Sequence, residues 1–141
     1  MDKDMLMWDE TIFRDGSVLE LDHLPDHFSH RDSQVQSLMY SLRPALRGMR
    51  PVNSLLSGPP GTGKTTTVMK VFEEMKKHTQ DVVFVKVNCQ MDSTKFAVIA
   101  RVYKALFKVS PPASGVAFRK LFEKVMNFLI ENEKTLVLCL D

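Results

Sequence analysis

The 141 residues match the size of one ordinary domain, and 44% hydrophobic with 26% charged side chains argues against global disorder. The net charge of +2 by itself indicates neither a nucleic-acid binder nor a membrane-surface protein. The charge is uneven, however, because residues 1–30 carry eight acidic and two basic side chains, and the remainder carry seventeen basic and nine acidic ones. We therefore predict an acidic, irregular lead-in over residues 1–22 and one domain over residues 23–141.

Signals for export or membrane insertion are missing from this sequence. No apolar run approaches the roughly 20 residues that span a bilayer, and the acidic start lacks the basic and apolar regions of a secretory signal. Cys89 and Cys139 lie in separate apolar runs without metal-ligand spacing, which is typical of free thiols in a reducing compartment. We expect a cytoplasmic protein with no membrane partner.

Helical and strand-like patterns alternate along the chain. Apolar residues recur at helical spacing in four segments, and near-continuous apolar runs predict strands that are covered on both faces. In chain order we predict a helix over 31–41, which Pro44 ends or restarts, a strand over 52–57, a helix from residue 64, a strand over 82–87, helices over 94–107 and 116–132, a loop over 110–115, and a strand over 135–141. This alternation is typical of an α/β domain with a mainly parallel sheet.

One motif carries phosphate chemistry. The run GPPGTGKT over residues 58–65 matches the P-loop pattern G-x-x-x-x-G-K-[ST] at every fixed position, between a predicted strand and a predicted helix. Glycines let backbone N–H groups converge on phosphate oxygens, and the start of the following helix adds positive potential. Lys64 can reach the β- and γ-phosphates. The predicted nucleotide-binding residues of this loop are Pro59, Pro60, Gly61, Thr62, Gly63, Lys64, Thr65 and Thr66.

Asp141 is a candidate for the acidic residue that completes the P-loop site. It follows an apolar run at the carboxyl end of a predicted strand, the pattern of a Walker B carboxylate that holds Mg²⁺. Ligands of open α/β sheets bind at this edge, so the P-loop and Asp141 should meet there. We predict Lys64 and Asp141 as catalytic residues, and Thr65 with Asp141 as the Mg²⁺ site. The alternative is a strand whose last residue happens to be acidic.

The order of these pieces resembles the AAA+ ATPases, and within them the archaeal initiators related to the origin recognition complex and cell division control protein six. The run DHLPDHFSHRDSQ over residues 22–34 is similar to the segment of that family which borders the adenine pocket, although Asp32 replaces the usual glutamate. Residues 42–53 and the V-N-C run over 87–89 also match the family, and the resemblance covers about residues 20–141. It implies that the following residues lie beside the adenine base: Leu24, Pro25, His30 and Arg31.

The resemblance also implies a fold and a function. The fold is the three-layer α/β/α P-loop NTPase fold, ending after the Walker B strand, with the lid and winged-helix domains outside this sequence. A central strand that comes later in that family is also outside it, so the sheet must leave a gap or bring residues 52–57 beside 135–140. The implied function is an ATP- or ADP-binding module, with Mg²⁺, of a nucleoid-associated initiator whose intact family members bind origin DNA and load the MCM helicase.

Further expectations concern activity and partners. Because the next acidic residue and an arginine finger lie outside these residues, we expect nucleotide binding without efficient hydrolysis. Self-association through the AAA+ surface is a further expectation from the resemblance. Arg101, Lys104 and Lys108 form one basic helical face, which is either simply solvated or a contact for phosphate backbone that gives weak DNA binding.

Two alternatives stay open at this point. The chain could be another P-loop ATPase, such as a clamp-loader subunit or a transposition helper, with the same nucleotide site but no origin binding. It could also be a non-catalytic interaction fragment whose nucleotide pocket only stabilises the fold. Nucleotide titration separates this last alternative from the other two.

Overall fold

Helices and strands alternate in the computed structural model, which describes residues 31–112 and 115–141. The acidic lead-in over 1–22 and residues 23–30 lie outside the described residues. The elements are α1 (Asp32–Leu42), a 3-10 helix (Arg43–Arg47), α2 (Lys64–Lys76), β1 (Val82–Val87), α3 (Lys95–Phe107), α4 (Phe118–Glu131) and β2 (Thr135–Leu140). The predicted helices and two of the three predicted strands are confirmed, and every bound that was predicted for them agrees to within two residues.

Local capping explains where several of these helices begin and end. Pro44 lies at the start of the 3-10 helix, where its missing N–H costs nothing, so the predicted restart of the helix is confirmed. Gly48 ends that turn with φ +68°, a left-handed conformation that glycine adopts readily, and its N–H donates to the Ala45 carbonyl. At the start of α3, the Thr94 hydroxyl accepts a 3.1 Å hydrogen bond from the N–H of Ala97.

The sheet of the described residues consists of β1 and β2, which pair in parallel. Its register runs from Val82 opposite Thr135 to Val87 opposite Leu140. Because side chains alternate along a strand, each strand sends every second residue to the opposite face. The parallel sheet that the sequence predicts is therefore present.

Helices cover both faces of this sheet and form two hydrophobic clusters. On one face, α1 and α2 pack over Val82, Phe84, Val137 and Cys139, with Val71 of α2 fully buried. On the other face, α3 and α4 pack over a second set of strand residues: Val83, Val85, Val87, Leu136 and Leu138. The result is the three-layer α/β/α arrangement, and the prediction of this fold class is confirmed.

The prediction of a strand over residues 52–57 is wrong. This segment has no regular secondary structure, and only Leu56 packs against a core cluster, while Leu55 is 93% exposed. The N–H of Val52 donates to the Ser41 carbonyl of α1 and not to a neighbouring strand. A β-strand must form backbone hydrogen bonds with a neighbouring strand, and among the described residues β2 pairs only with β1. Residues 52–57 therefore do not lie beside residues 135–140 as a strand. Of the two expected arrangements, the sheet has the one with a gap between these segments.

The helices are amphipathic rather than uniformly apolar. In α4, Leu121, Val125 and Leu129 are buried, whereas the exposed side carries an Arg119–Glu123 ion pair of 2.8 Å. None of the helices in residues 31–112 and 115–141 is long and apolar enough to cross a membrane.

Candidate nucleotide-binding site

The P-loop leads directly into the first turn of α2. Gly61 has φ +74° and Gly63 has φ +79°, conformations in which a side chain would be strained, so glycine is required at both positions. Gly63 caps α2 without a side-chain hydrogen bond, and the first-turn N–H groups have no partner within the helix. The loop and helix start therefore have the backbone geometry of an anion site.

The Lys64 side chain folds back over the loop. Its Nζ donates to the carbonyl oxygens of Gly58 at 2.9 Å and Pro59 at 2.7 Å. The Thr62 hydroxyl also donates to the Pro59 carbonyl, at 2.9 Å. These contacts place a positive charge against the loop.

Thr65 and Asp141 meet although 76 positions separate them in sequence. The Thr65 hydroxyl lies 2.9 Å from Oδ1 and 3.0 Å from Oδ2 of Asp141, to which it donates. Asp141 extends the ladder beyond β2, since its N–H donates to the Val87 carbonyl and its carbonyl accepts from the Cys89 N–H. The structure thus brings together the two residues that we predicted as Mg²⁺ ligands.

Lys86 is a member of this cluster that the sequence analysis missed. Its Nζ lies 3.6 Å from Oδ2 of Asp141, and its side chain is only 28% exposed. Lys86 is opposite Cys139 in the register, on the same face of the sheet as Asp141 two residues later. A single lysine in the otherwise apolar strand VVFVKV is the signal that could have found it.

Cys139 lies next to this cluster, and its thiol is expected to be unreactive. Burial raises the pKa of its thiol, the negative charge of Asp141 raises this pKa further, and the positive charge of Lys86 opposes both. The thiol is therefore protonated at neutral pH and is a poor nucleophile or metal ligand. Both Cys89 and Cys139 are free thiols.

Only one of the four predicted adenine-side residues falls within the described part of the chain. Arg31 lines a cavity of about 360 Å³ together with Lys64 and Thr67 of α2. Leu24, Pro25 and His30 lie outside the described residues. One end of the predicted adenine segment therefore borders the same space as the P-loop lysine.

The predicted basic face is exposed, but one of its members is paired. Arg101, Lys104 and Lys108 are all exposed along α3 and its C-cap. Nε of Arg101 lies 2.6 Å from Oδ2 of Asp92, whose side chain is 17% exposed. Arg101 is thus engaged within the fold, which leaves Lys104 and Lys108 as the stronger candidates for an external contact.

The residues of this cluster fit a Mg²⁺–nucleotide. A hydroxyl and a carboxylate within hydrogen-bond distance are the oxygen ligands that Mg²⁺ prefers. The glycine conformations and the uncapped start of α2 fit phosphate oxygens, and Lys64 supplies the positive charge beside them. The donor set is therefore appropriate for both parts of the ligand.

A parallel sheet between helical layers, with a P-loop facing an acidic strand end, defines a P-loop nucleoside triphosphatase fold. The family described as "AAA ATPase domain" matches residues 27–141, and the chain belongs to that family. The prediction of an AAA+ fold is confirmed by this match.

Within this class, the chain is similar to archaeal replication proteins. It is 64% identical to ORC1-type DNA replication protein 2 of Methanosarcina acetivorans and 62% identical to the protein of the same name from Methanosarcina mazei, over 98% of this chain and 37% of each relative. A solved structure of the Aeropyrum pernix ORC1 protein in complex with DNA matches with a TM-score of 0.78 at 30% identity, over 91% of this chain and 34% of that one. The resemblance to archaeal initiators is confirmed, and the chain spans little more than a third of these relatives.

Proposed function

We propose that this chain is the ATP- or ADP-binding module, with Mg²⁺, of an archaeal DNA replication initiator. The observation that carries the proposal is the 2.9 Å contact between the P-loop hydroxyl of Thr65 and the strand-end carboxylate of Asp141. Two motifs far apart in sequence converge on one edge of the sheet, as the binding of Mg²⁺ and phosphates requires.

Each residue of the cluster has a distinct role in this proposal. The N–H groups at residues 61–66 and the start of α2 bind phosphate oxygens, and Lys64 swings from the loop carbonyls to the β- and γ-phosphates. Thr65 and Asp141 hold the metal, directly or through water. Bound Mg²⁺ would neutralise phosphate charge and polarise the terminal phosphoryl group.

The test of nucleotide binding is Lys64→Ala, followed by titration of fluorescent ADP and ATP analogues. A charge-assisted hydrogen bond contributes roughly 1.5–3 kcal/mol, so Kd should rise at least about tenfold. Lys76→Ala is the matched control, because this exposed lysine lies in the last turn of the same helix. It should leave Kd within twofold of wild type. Equal affinities of the Lys64→Ala variant and the wild-type chain would overturn the proposal.

The proposed position of the adenine base is inferred from the position of Arg31. Because Arg31 borders the cavity that Lys64 also lines, we propose that the base lies at this end, beside the segment that contains Leu24, Pro25 and His30. Arg31→Ala should reduce discrimination between adenosine and guanosine nucleotides more than it reduces affinity for inorganic pyrophosphate. Arg43→Ala, outside this cavity, serves as the control, and unchanged discrimination in Arg31→Ala would argue against this placement.

Partners follow from the relatives. The Aeropyrum pernix relative is solved in complex with DNA, so we propose that the intact protein binds origin DNA on the nucleoid and acts with the MCM helicase. This chain should bind duplex DNA weakly, through Lys104 and Lys108, and the affinity should fall steeply with salt. Binding that is tight at physiological salt and unchanged in the Lys104→Ala, Lys108→Ala double variant would contradict this surface assignment.

The names of the relatives favour an initiator over a clamp-loader subunit or a transposition helper. A non-catalytic interaction fragment remains the contrasting function. The nucleotide titration decides it, because a chain that binds neither ATP nor ADP would have only that role.

A further inference from the structure

The Walker B carboxylate has a positively charged neighbour on the strand beside it. Lys86 Nζ lies 3.6 Å from Oδ2 of Asp141, and the two side chains are 28% and 39% exposed. The register explains the contact, since Lys86 is opposite Cys139 and therefore on the Asp141 face of the sheet. The lysine lies on β1, and the pairing of β1 with β2 fixes its backbone position relative to Asp141.

Both oxygens of this carboxylate are already engaged. The Thr65 hydroxyl donates to Oδ1 and Oδ2, and the ammonium of Lys86 lies on the Oδ2 side. A Mg²⁺ ion held by Thr65 and Asp141 would therefore lie within a few ångströms of the Lys86 charge. Two cations at that separation repel each other, and partial burial reduces the screening by water.

We propose that Lys86 competes with Mg²⁺ for the Asp141 carboxylate and so reduces the dependence of nucleotide affinity on Mg²⁺. This inference rests on the proposed nucleotide site. Lys86 acts on the ligand through Asp141, and we therefore describe it as a positioning residue.

The lysine has opposite effects on Kd with and without the metal, and both effects change the ratio of the two constants in the same direction. Without Mg²⁺, the lysine offsets the negative charge of Asp141, which would otherwise repel the phosphates. With Mg²⁺, the lysine opposes the bound ion. Removal of the positive charge should therefore raise Kd without metal and lower Kd with metal, and the ratio of these two constants should increase.

The experiment measures that ratio for ADP, as Kd in EDTA divided by Kd in millimolar Mg²⁺. For Lys86→Met we expect the ratio to rise about threefold to tenfold, the range for a partly screened charge at this distance. Lys86→Gln should give the same rise, and circular dichroism shows whether each variant is folded. Lys86→Arg keeps the charge and should leave the ratio within twofold of wild type.

Lys134→Met is the matched control for net charge. Lys134 donates to the Gln80 carbonyl near the opposite end of the strands, roughly 20 Å away along a six-residue strand. The Lys134→Met substitution should leave the ratio of Kd in EDTA to Kd in Mg²⁺ unchanged. In an Asp141→Asn background, Lys86→Met should raise the ratio less than in the wild-type background, because the carboxylate for which the two cations compete is gone.

The outcomes distinguish a failure of the Lys86 inference from a failure of the proposed nucleotide-binding function. An unchanged or lower ratio in folded Lys86→Met and Lys86→Gln would overturn the inference while the nucleotide site stands. A lower ratio would mean that the lysine only orients Asp141 for the metal. Failure of the wild-type chain to bind ADP under either condition would overturn the proposed function, and this inference with it.

Discussion

The two faces of the sheet end differently at the carboxyl edge. On the α2 face, Lys86 and Asp141 meet Thr65 in a charged cluster. On the α3–α4 face, an apolar cavity of about 380 Å³ is lined by residues that include Leu140 and Phe118. Leu140 and Asp141 are neighbours in sequence, yet strand alternation sends them to opposite faces. At this edge of the sheet, the α2 face thus carries charged side chains, whereas the α3–α4 face carries apolar ones.

The largest effect that we expect is a loss of stability, at the face of the sheet that α3 and α4 cover. Leu121 of α4 is 2% exposed, so Leu121→Ala should lower the free energy of unfolding by about 2–5 kcal/mol. Urea denaturation measures the loss. Ile130→Ala on the same helix, at a side chain that is 69% exposed, should cost much less. Nucleotide affinity of folded Leu121→Ala should match wild type, and a parallel loss of affinity would show that the two faces are coupled.

The second-largest effect is expected on the charged face, by which we mean the α2 face of the sheet with Lys86, Asp141 and Thr65. Asp141→Asn removes the carboxylate charge but keeps the shape of the side chain, and it should weaken Mg²⁺ binding to the ADP-loaded chain by roughly 10–100-fold. Titration of Mg²⁺ against bound fluorescent ADP measures this. Asp81→Asn makes the same change at the amino end of β1 and should leave Mg²⁺ affinity unaltered. A metal affinity that Asp141→Asn does not change would place the ion elsewhere.

A smaller effect is expected at the start of α3. Thr94 caps this helix through its hydroxyl, so Thr94→Ala should lower the free energy of unfolding by about 1 kcal/mol. Ser93→Ala, one residue earlier, is the control and should be close to neutral. The Mg²⁺ dependence of ADP binding should not change in either variant. A changed dependence would mean that α3 also shapes the charged face.

The smallest effect is that of the Asp92–Arg101 ion pair. A double-mutant cycle with Asp92→Ala and Arg101→Ala should give a coupling energy of about 0.2–1 kcal/mol, because Arg101 is well exposed. Denaturation of the four proteins provides the cycle. The pair should have no influence on nucleotide binding, in contrast to the charges around Asp141. A nucleotide affinity that follows the Arg101 variants would break this distinction between the faces.

Much of this arrangement was predictable from the sequence, because it depends on local patterns. Periodicity predicted α1 to α4, and continuous apolar runs predicted β1 and β2. The fixed positions of the P-loop predicted Lys64 and Thr65 as neighbours of a phosphate site. Parallel strands end at one edge, which was enough to predict that Asp141 approaches the P-loop, and the contact with Thr65 has that geometry.

Tertiary structure decided the features that depend on a neighbour. Residues 52–57 have the local composition of a strand but no adjacent strand within residues 31–112 and 115–141, so they remain irregular. Arg101 was predicted from spacing as part of a basic face, but its side chain pairs with Asp92, which lies before the start of α3. Lys86 lies beside Asp141 because the register of β1 against β2 puts both on one face. Register and pairing are set by contacts between distant segments, and a single sequence does not record them.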